Sequence, residues 1–70
     1  MNIESALNEG IHILRKNRIL NPQLDSEILL SNSIKRDKKH IILNPKKILN
    51  SGQLGDFKSL IERRKKGEPI

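Results

Sequence analysis

The sequence contains no cysteine, tryptophan or tyrosine, and a single phenylalanine, Phe57. Without Cys, disulfides and thiolate metal sites are excluded, and the composition fits a reducing, cytoplasmic setting. Two histidines, His12 and His40, have no H-x-x-x-H spacing, so they make no zinc site. The four glycines, at 10, 52, 55 and 67, match neither the dinucleotide-binding pattern nor a P-loop. No serine sits in a nucleophile elbow, and no βαβ unit is present to hold a cofactor. No apolar run approaches the ~20 residues of a membrane span, and Met1-Asn2-Ile3-Glu4 lacks the basic start of a signal peptide. What is left in 70 residues is one domain with an aliphatic core, of a size that buries roughly 60% of its unfolded surface. On its own residues it binds or supports something rather than catalyses.

Charge is present in quantity, and unevenly. Residues 1–34 carry three basic residues against four acidic ones, while residues 35–70 carry eleven against four, so the whole net of +6 comes from the second half. A basic half suits an acidic partner: nucleic acid, an acidic protein face or a sister domain. The plainer alternative is a solvated face that keeps a small domain soluble.

Periodicity places the elements. Ile3, Ala6, Leu7, Gly10, Ile11, Ile13 and Leu14 share one arc of a helix over residues 3–17, with His12 on the solvent side. Gly10 inside that arc costs about 1 kcal/mol of helix propensity, a cost that close approach by a neighbouring helix would return. Asn21-Pro22 reads as N-cap and first helical residue. The helix from Gln23 to about Ser33 carries Leu24, Ile28, Leu29, Leu30 and Ile34 around most of its circumference, the pattern of a central helix covered on several sides. Asp25 and Glu27 lie between those apolar positions, so at least one should be partly buried and paired.

Residues 36–43 read either as a short helix capped by Asp37 or as a strand through His40-Ile41-Ile42-Leu43; a lone strand would have nothing to pair with, which favours the helix. Asn44-Pro45 repeats the turn signature, and the connector to Asn50 is expected to tuck Ile48 and Leu49 underneath. A last helix, started by Asn50 with Gln53 or by Ser51, runs to about Lys66. Its apolar arc of Leu54, Phe57, Leu60 and Ile61 also contains Arg64, which is expected to pair with Glu27 or Asp25. The fold class is therefore all-α, a small bundle of four helices, or five if a turn forms around Pro45–Leu49. Glu62-Arg63-Arg64-Lys65-Lys66 followed by Gly67 and Pro69 reads as a helix end running into an extended segment, and hence as an amino-terminal piece of a longer protein.

Four stretches carry a resemblance to a known family. They are Leu7 through Leu14; Ile19-Leu20-Asn21-Pro22-Gln23-Leu24-Asp25-Ser26-Glu27-Ile28-Leu29-Leu30; Arg36 through Leu43; and Arg63-Arg64-Lys65-Lys66-Gly67-Glu68-Pro69-Ile70. Their order resembles the amino-terminal helical domain of the HemK family, S-adenosylmethionine-dependent methyltransferases that modify a glutamine in peptide chain release factors. That family typically has Ala at the position of Ser26. The G-E-P-I ending is the most specific piece of the match.

The resemblance implies a helical substrate-recognition domain over residues 1–66. Gly67, Glu68, Pro69 and Ile70 would then start a linker to a Rossmann-like methyltransferase domain absent from this sequence. That absent domain would hold the cofactor and the Asn-Pro-Pro-Tyr motif. Asn21-Pro22 and Asn44-Pro45 lack the second Pro and the Tyr, so no catalytic, cofactor-binding or metal residue carries over. The implied partners are a release factor, gripped so that its Gly-Gly-Gln loop reaches the catalytic domain, and that catalytic domain itself; the domain is expected to be monomeric. Lys35, Arg36, Lys38, Lys39, Lys46 and Lys47 are the expected gripping face, with Arg63, Lys65 and Lys66 turned to the catalytic domain as the competing assignment. The rival class is a small basic helical nucleic-acid-binding module. Scattered basic residues, no helix with a recognition face and no aromatic platform all disfavour it.

Overall fold

The computed structural model describes residues 1–69 and has four helices: α1 (Ile3–Lys16), α2 (Pro22–Ile34), α3 (Lys38–Leu43) and α4 (Ser51–Lys65). The class is all-α, and no helix is long and apolar enough to cross a membrane. Helix α2 packs against all three others and forms the centre of the bundle, which accounts for its apolar residues on several sides. Leu29 and Leu30 are buried on α2, facing Ile3, Ala6 and Leu14 of α1, Ile41 of α3, and Phe57 and Ile61 of α4 within one cluster.

Helix starts follow local chemistry. Asp37 Oδ1 accepts from His40 N at 2.9 Å to start α3. Asn50 and Gln53 form a reciprocal capping box at α4, each side chain accepting from the other's backbone at 2.8 and 3.0 Å. Pro22 occupies the first turn of α2, but the Asn21 side chain makes no cap bond. Asn21, at φ −123 and ψ 70, contributes its carbonyl alone, accepting from Asp25 N at 3.0 Å.

Three helix ends close alike. Arg18 (φ 62), Lys35 (φ 59) and Gly67 (φ 93) adopt the left-handed conformation. The next residue's amide then reaches back across the last turn: Ile19 to the Leu14 carbonyl, Arg36 to Ser31, Glu68 to Arg63. These are Schellman closures, and two of them use a cationic residue where glycine is usual.

The connector after α3 forms no fifth helix. Residues 47–49 are extended and bridge to the chain start, with Ile3 N donating to Lys47 O and Leu49 N to Met1 O, both at 2.9 Å. Alternation along an extended segment sends neighbours to opposite sides. Leu49 is therefore buried, while Ile48 is 69% exposed, contrary to the expectation that both tuck under. The same connector caps α1: Glu4 N donates to Pro45 O at 2.9 Å, and Asn2 Oδ1 accepts from Ser5 N at 2.8 Å. The first-turn donors that a helix start leaves without intrahelical partners are thereby satisfied.

One core position is out of keeping with its surroundings. Ser26 is fully buried and its Oγ has no hydrogen-bond partner among the described residues, whereas buried Ser33 donates to the Leu29 carbonyl at 2.9 Å. An unpartnered buried hydroxyl costs about 1–3 kcal/mol, and Ala is also the better helix former. Ser26→Ala is expected to raise stability by about 1 kcal/mol, read as a higher midpoint in a thermal melt.

Candidate partner interface

The six candidate cations lie in two turns and the first turn of a short helix. Lys35 and Arg36 close α2, Lys38 and Lys39 open α3 behind the Asp37 cap, and Lys46 and Lys47 occupy the turn before the connector; all are exposed. Five of them make no ion pair among the described residues. Lys46 is the exception, held by Glu4 of α1 at 3.1 Å. A shallow trough runs alongside, lined by Ile28, Ser31 and Asn32 of α2 and by Arg36, Asp37, Lys38 and Lys39.

The same stretch also exposes aliphatic surface that sequence reading missed: Ile42 (63%), Leu43 (66%) and Ile48 (69%). A signal existed. In a six-residue helix the run Ile41-Ile42-Leu43 cannot turn every member inward, and Ile41 takes the core position. Aliphatic side chains among cations suit a protein face more than a phosphate backbone, which is met mainly by charged and polar groups.

The other basic cluster is differently placed. Arg63 reaches Glu68 at 3.2 Å and Lys65 reaches Glu62 at 2.9 Å. The Glu62 carboxyl is held below its ordinary pKa, first by the hydrogen bond from Lys65 and then by its charge. Lys66 alone in this run has no carboxylate partner among the described residues. These cations sit in the last turn of α4, where they also complement the helix dipole.

Arg64 turns inward. Its Nε donates to Asp25 Oδ2 at 3.0 Å, and its guanidinium also donates to the Glu68 carbonyl at 3.2 Å. Of the two candidate carboxylates, Asp25 is the buried one, 8% exposed. Glu27 takes no part and instead accepts from Gln23 Nε2 at 3.4 Å, one turn back on its own helix. Asp25 and Glu27 are about 200° apart around α2, so α4 can reach only one of them. Gly67, Glu68 and Pro69 follow α4, with Glu68 folded back onto Arg63 and Arg64; Ile70 lies outside the described residues.

None of the glycines makes a cofactor cradle. Gly10 lies against Phe57, Gly52 and Gly55 are within α4, and Gly67 closes it. No group of three His, Cys, Asp or Glu residues that could hold a metal occurs among the described residues.

Fold and face together define a small all-α domain built on a central helix, with a polycationic, partly aliphatic surface at one set of turns. The chain belongs to the family of the PrmC N-terminal domain, which matches residues 5–70. It is 34% identical over 70 residues to a release factor glutamine methyltransferase of Aliivibrio fischeri, covering all of this chain and 25% of that protein. It is 38% identical over 68 residues to a bifunctional methyltransferase of Rickettsia bellii, covering 97% of this chain and 12% of that one. A release factor glutamine methyltransferase of Vibrio cholerae is 31% identical over 68 residues, 97% of this chain and 24% of its own. The chain thus spans a quarter or less of the length of these relatives. No solved structure is a significant match. The resemblance read from the sequence holds at the level of the family.

Proposed function

We propose that this chain is the substrate-recognition domain of an S-adenosylmethionine-dependent methyltransferase acting in the cytoplasm on the Gly-Gly-Gln glutamine of a peptide chain release factor. Residues 1–66 are the recognition unit, and Gly67 onward begins the link to the catalytic domain, which brings the cofactor. The observation that carries the reading is the stretch 35–48, where five cations without ion-pair partners among the described residues stand among three exposed aliphatic residues. Such a face offers charge for steering an acidic partner and apolar area for holding it. Domain-level grip of this kind positions a reacting group from a distance without contributing a catalytic atom. The competing assignment to Arg63, Lys65 and Lys66 is weaker because Arg63 and Lys65 are already engaged with carboxylates of this chain, which leaves Lys66 as the one member without such a partner among the described residues.

Charge reversal tests it. Glu at 35, 36, 38 and 39 together is expected to weaken release-factor binding by tenfold or more, an amount equal to about 1.4 kcal/mol, with steep loss on added salt. Unchanged affinity in that variant would remove this face from the interface.

A further inference from the structure

Between the start of α1, the α2–α3 turn and the start of α4 lies a second cleft, about 140 Å³ in volume. Its polar lining consists of Arg36, His40, Lys47 and Gln53, and its floor includes the buried Ile3 and Leu49. Each polar group there can donate a hydrogen bond. Arg36 and Lys47 make no ion pair among the described residues. Gln53 spends its Oε1 on the Asn50 amide at 3.0 Å, which leaves its NH₂ as the free end. His40 Nδ1 lies 3.4 Å from Asn44 Nδ2; in the tautomer that accepts there, the proton is on Nε2. That Nε2 is buried and has no partner among the described residues.

No carboxylate lines the cleft, and the two nearest in sequence are committed elsewhere. Asp37 caps α3 through the His40 amide at 2.9 Å, and Glu4 is held by Lys46 at 3.1 Å. Two cations, an amide and an imidazole line one cleft over an apolar floor, with no carboxylate among the lining residues, a set of groups suited to an acceptor-rich anion. The volume suits one small group.

We propose that this cleft binds a single small oxyanion, phosphate or carboxylate, with Arg36 and Lys47 supplying charge and His40 and Gln53 supplying directed hydrogen bonds. The site does not depend on the release-factor reading, although Arg36 is shared with the trough beside it.

The test is an NMR titration of the isotope-labelled chain with sodium phosphate in one arm and sodium acetate in another, against sodium chloride at equal ionic strength. Saturable shifts at the His40 ring and the Gln53 side-chain amide, in either oxyanion arm and absent with chloride, are expected; which arm responds distinguishes a tetrahedral from a planar ligand. Arg36→Gln is expected to weaken that binding about tenfold, while Lys66→Gln, which removes the same charge from the far end of α4, leaves it unchanged. No saturable shift with either oxyanion, or equal weakening by the two substitutions, overturns the proposal. Oxyanion binding without release-factor binding would leave this site standing and remove the recognition reading. Release-factor binding through 35–48 without oxyanion binding would do the reverse.

Discussion

Arg64→Ala is expected to destabilise the chain by about 3 kcal/mol, the low end of the range of about 3–5 kcal/mol for stranding one partner of a buried ion pair. The reason is Asp25, which is 8% exposed and has Arg64 as its ion-pair partner, with side-chain exposures of 24% for Arg64 and 11% for Asp25. Without the guanidinium, a largely buried carboxylate is left between α2 and α4 without its ion-pair partner. The reverse substitution should cost less. In Asp25→Ala the long Arg64 side chain keeps its bond to the Glu68 carbonyl and can carry its charge outward. The double substitution Asp25→Leu with Arg64→Met should recover most of the loss, because a packed apolar pair replaces an ion pair at little net cost. Urea denaturation of the four proteins checks the order; equal, small losses for both single variants would show that the pair is only a surface contact.

The second large effect concerns Gly10, and it turns on a sign. Helix propensity alone predicts that Gly10→Ala stabilises by about 1 kcal/mol. The packing predicts the opposite. A Cβ at Gly10 would stand 2.7 Å from Phe57 Cζ, 3.1 Å from Ile61 Cδ1 and 3.2 Å from Ser26 Oγ. These three neighbours are all buried, and the nearest, the far end of the Phe57 ring, must shift to admit a Cβ. Overpacking of a tight core typically costs about 1–3 kcal/mol, occasionally more. Gly10→Ala should therefore lose about 1 kcal/mol net, and Gly10→Leu about 3 kcal/mol or more. Combining Gly10→Ala with Phe57→Leu, which removes the offending ring atom, should show favourable coupling. A more stable Gly10→Ala protein would mean that α1 and α4 do not approach as closely as described.

Both effects were legible in part before any coordinates, because they depend on helical phase. Gly10 inside an apolar arc signals a close crossing, and Arg64 on the arc of Phe57 and Ile61 signals an inward guanidinium. The caps at Asp37 and at Asn50 with Gln53 were equally legible, since each is a contact between residues three apart. Helix α2 announced its central place through Leu24, Ile28, Leu29, Leu30 and Ile34.

What failed to show were the contacts made across the chain. The bridge of Asn2 to Ile48 joins segments 46 residues apart, and nothing local to 45–49 specifies an extended conformation or sends Ile48 outward. Glu4 holding Lys46 is hidden for the same reason. The choice of Asp25 over Glu27 depends on which side of α2 meets α4, a packing outcome that periodicity narrows without deciding. At the candidate face, the charges could be listed from sequence, but which of them lack partners could not. The exposure of Ile42 and Leu43 followed only once α3 had committed Ile41 to the core.

The account rests most heavily on where the partner binds, and amide shifts read that directly. Titrating isotope-labelled chain with purified release factor at near-physiological salt is expected to give saturable shifts centred on residues 35–48, with the last turn of α4 little affected. A short DNA duplex in a parallel arm should produce none of comparable strength, since counterion-driven binding would appear there as steeply salt-dependent shifts. Shifts centred on 63–66, strong shifts with DNA alone, or none with release factor would contradict the assignment of this face as the one that grips the substrate.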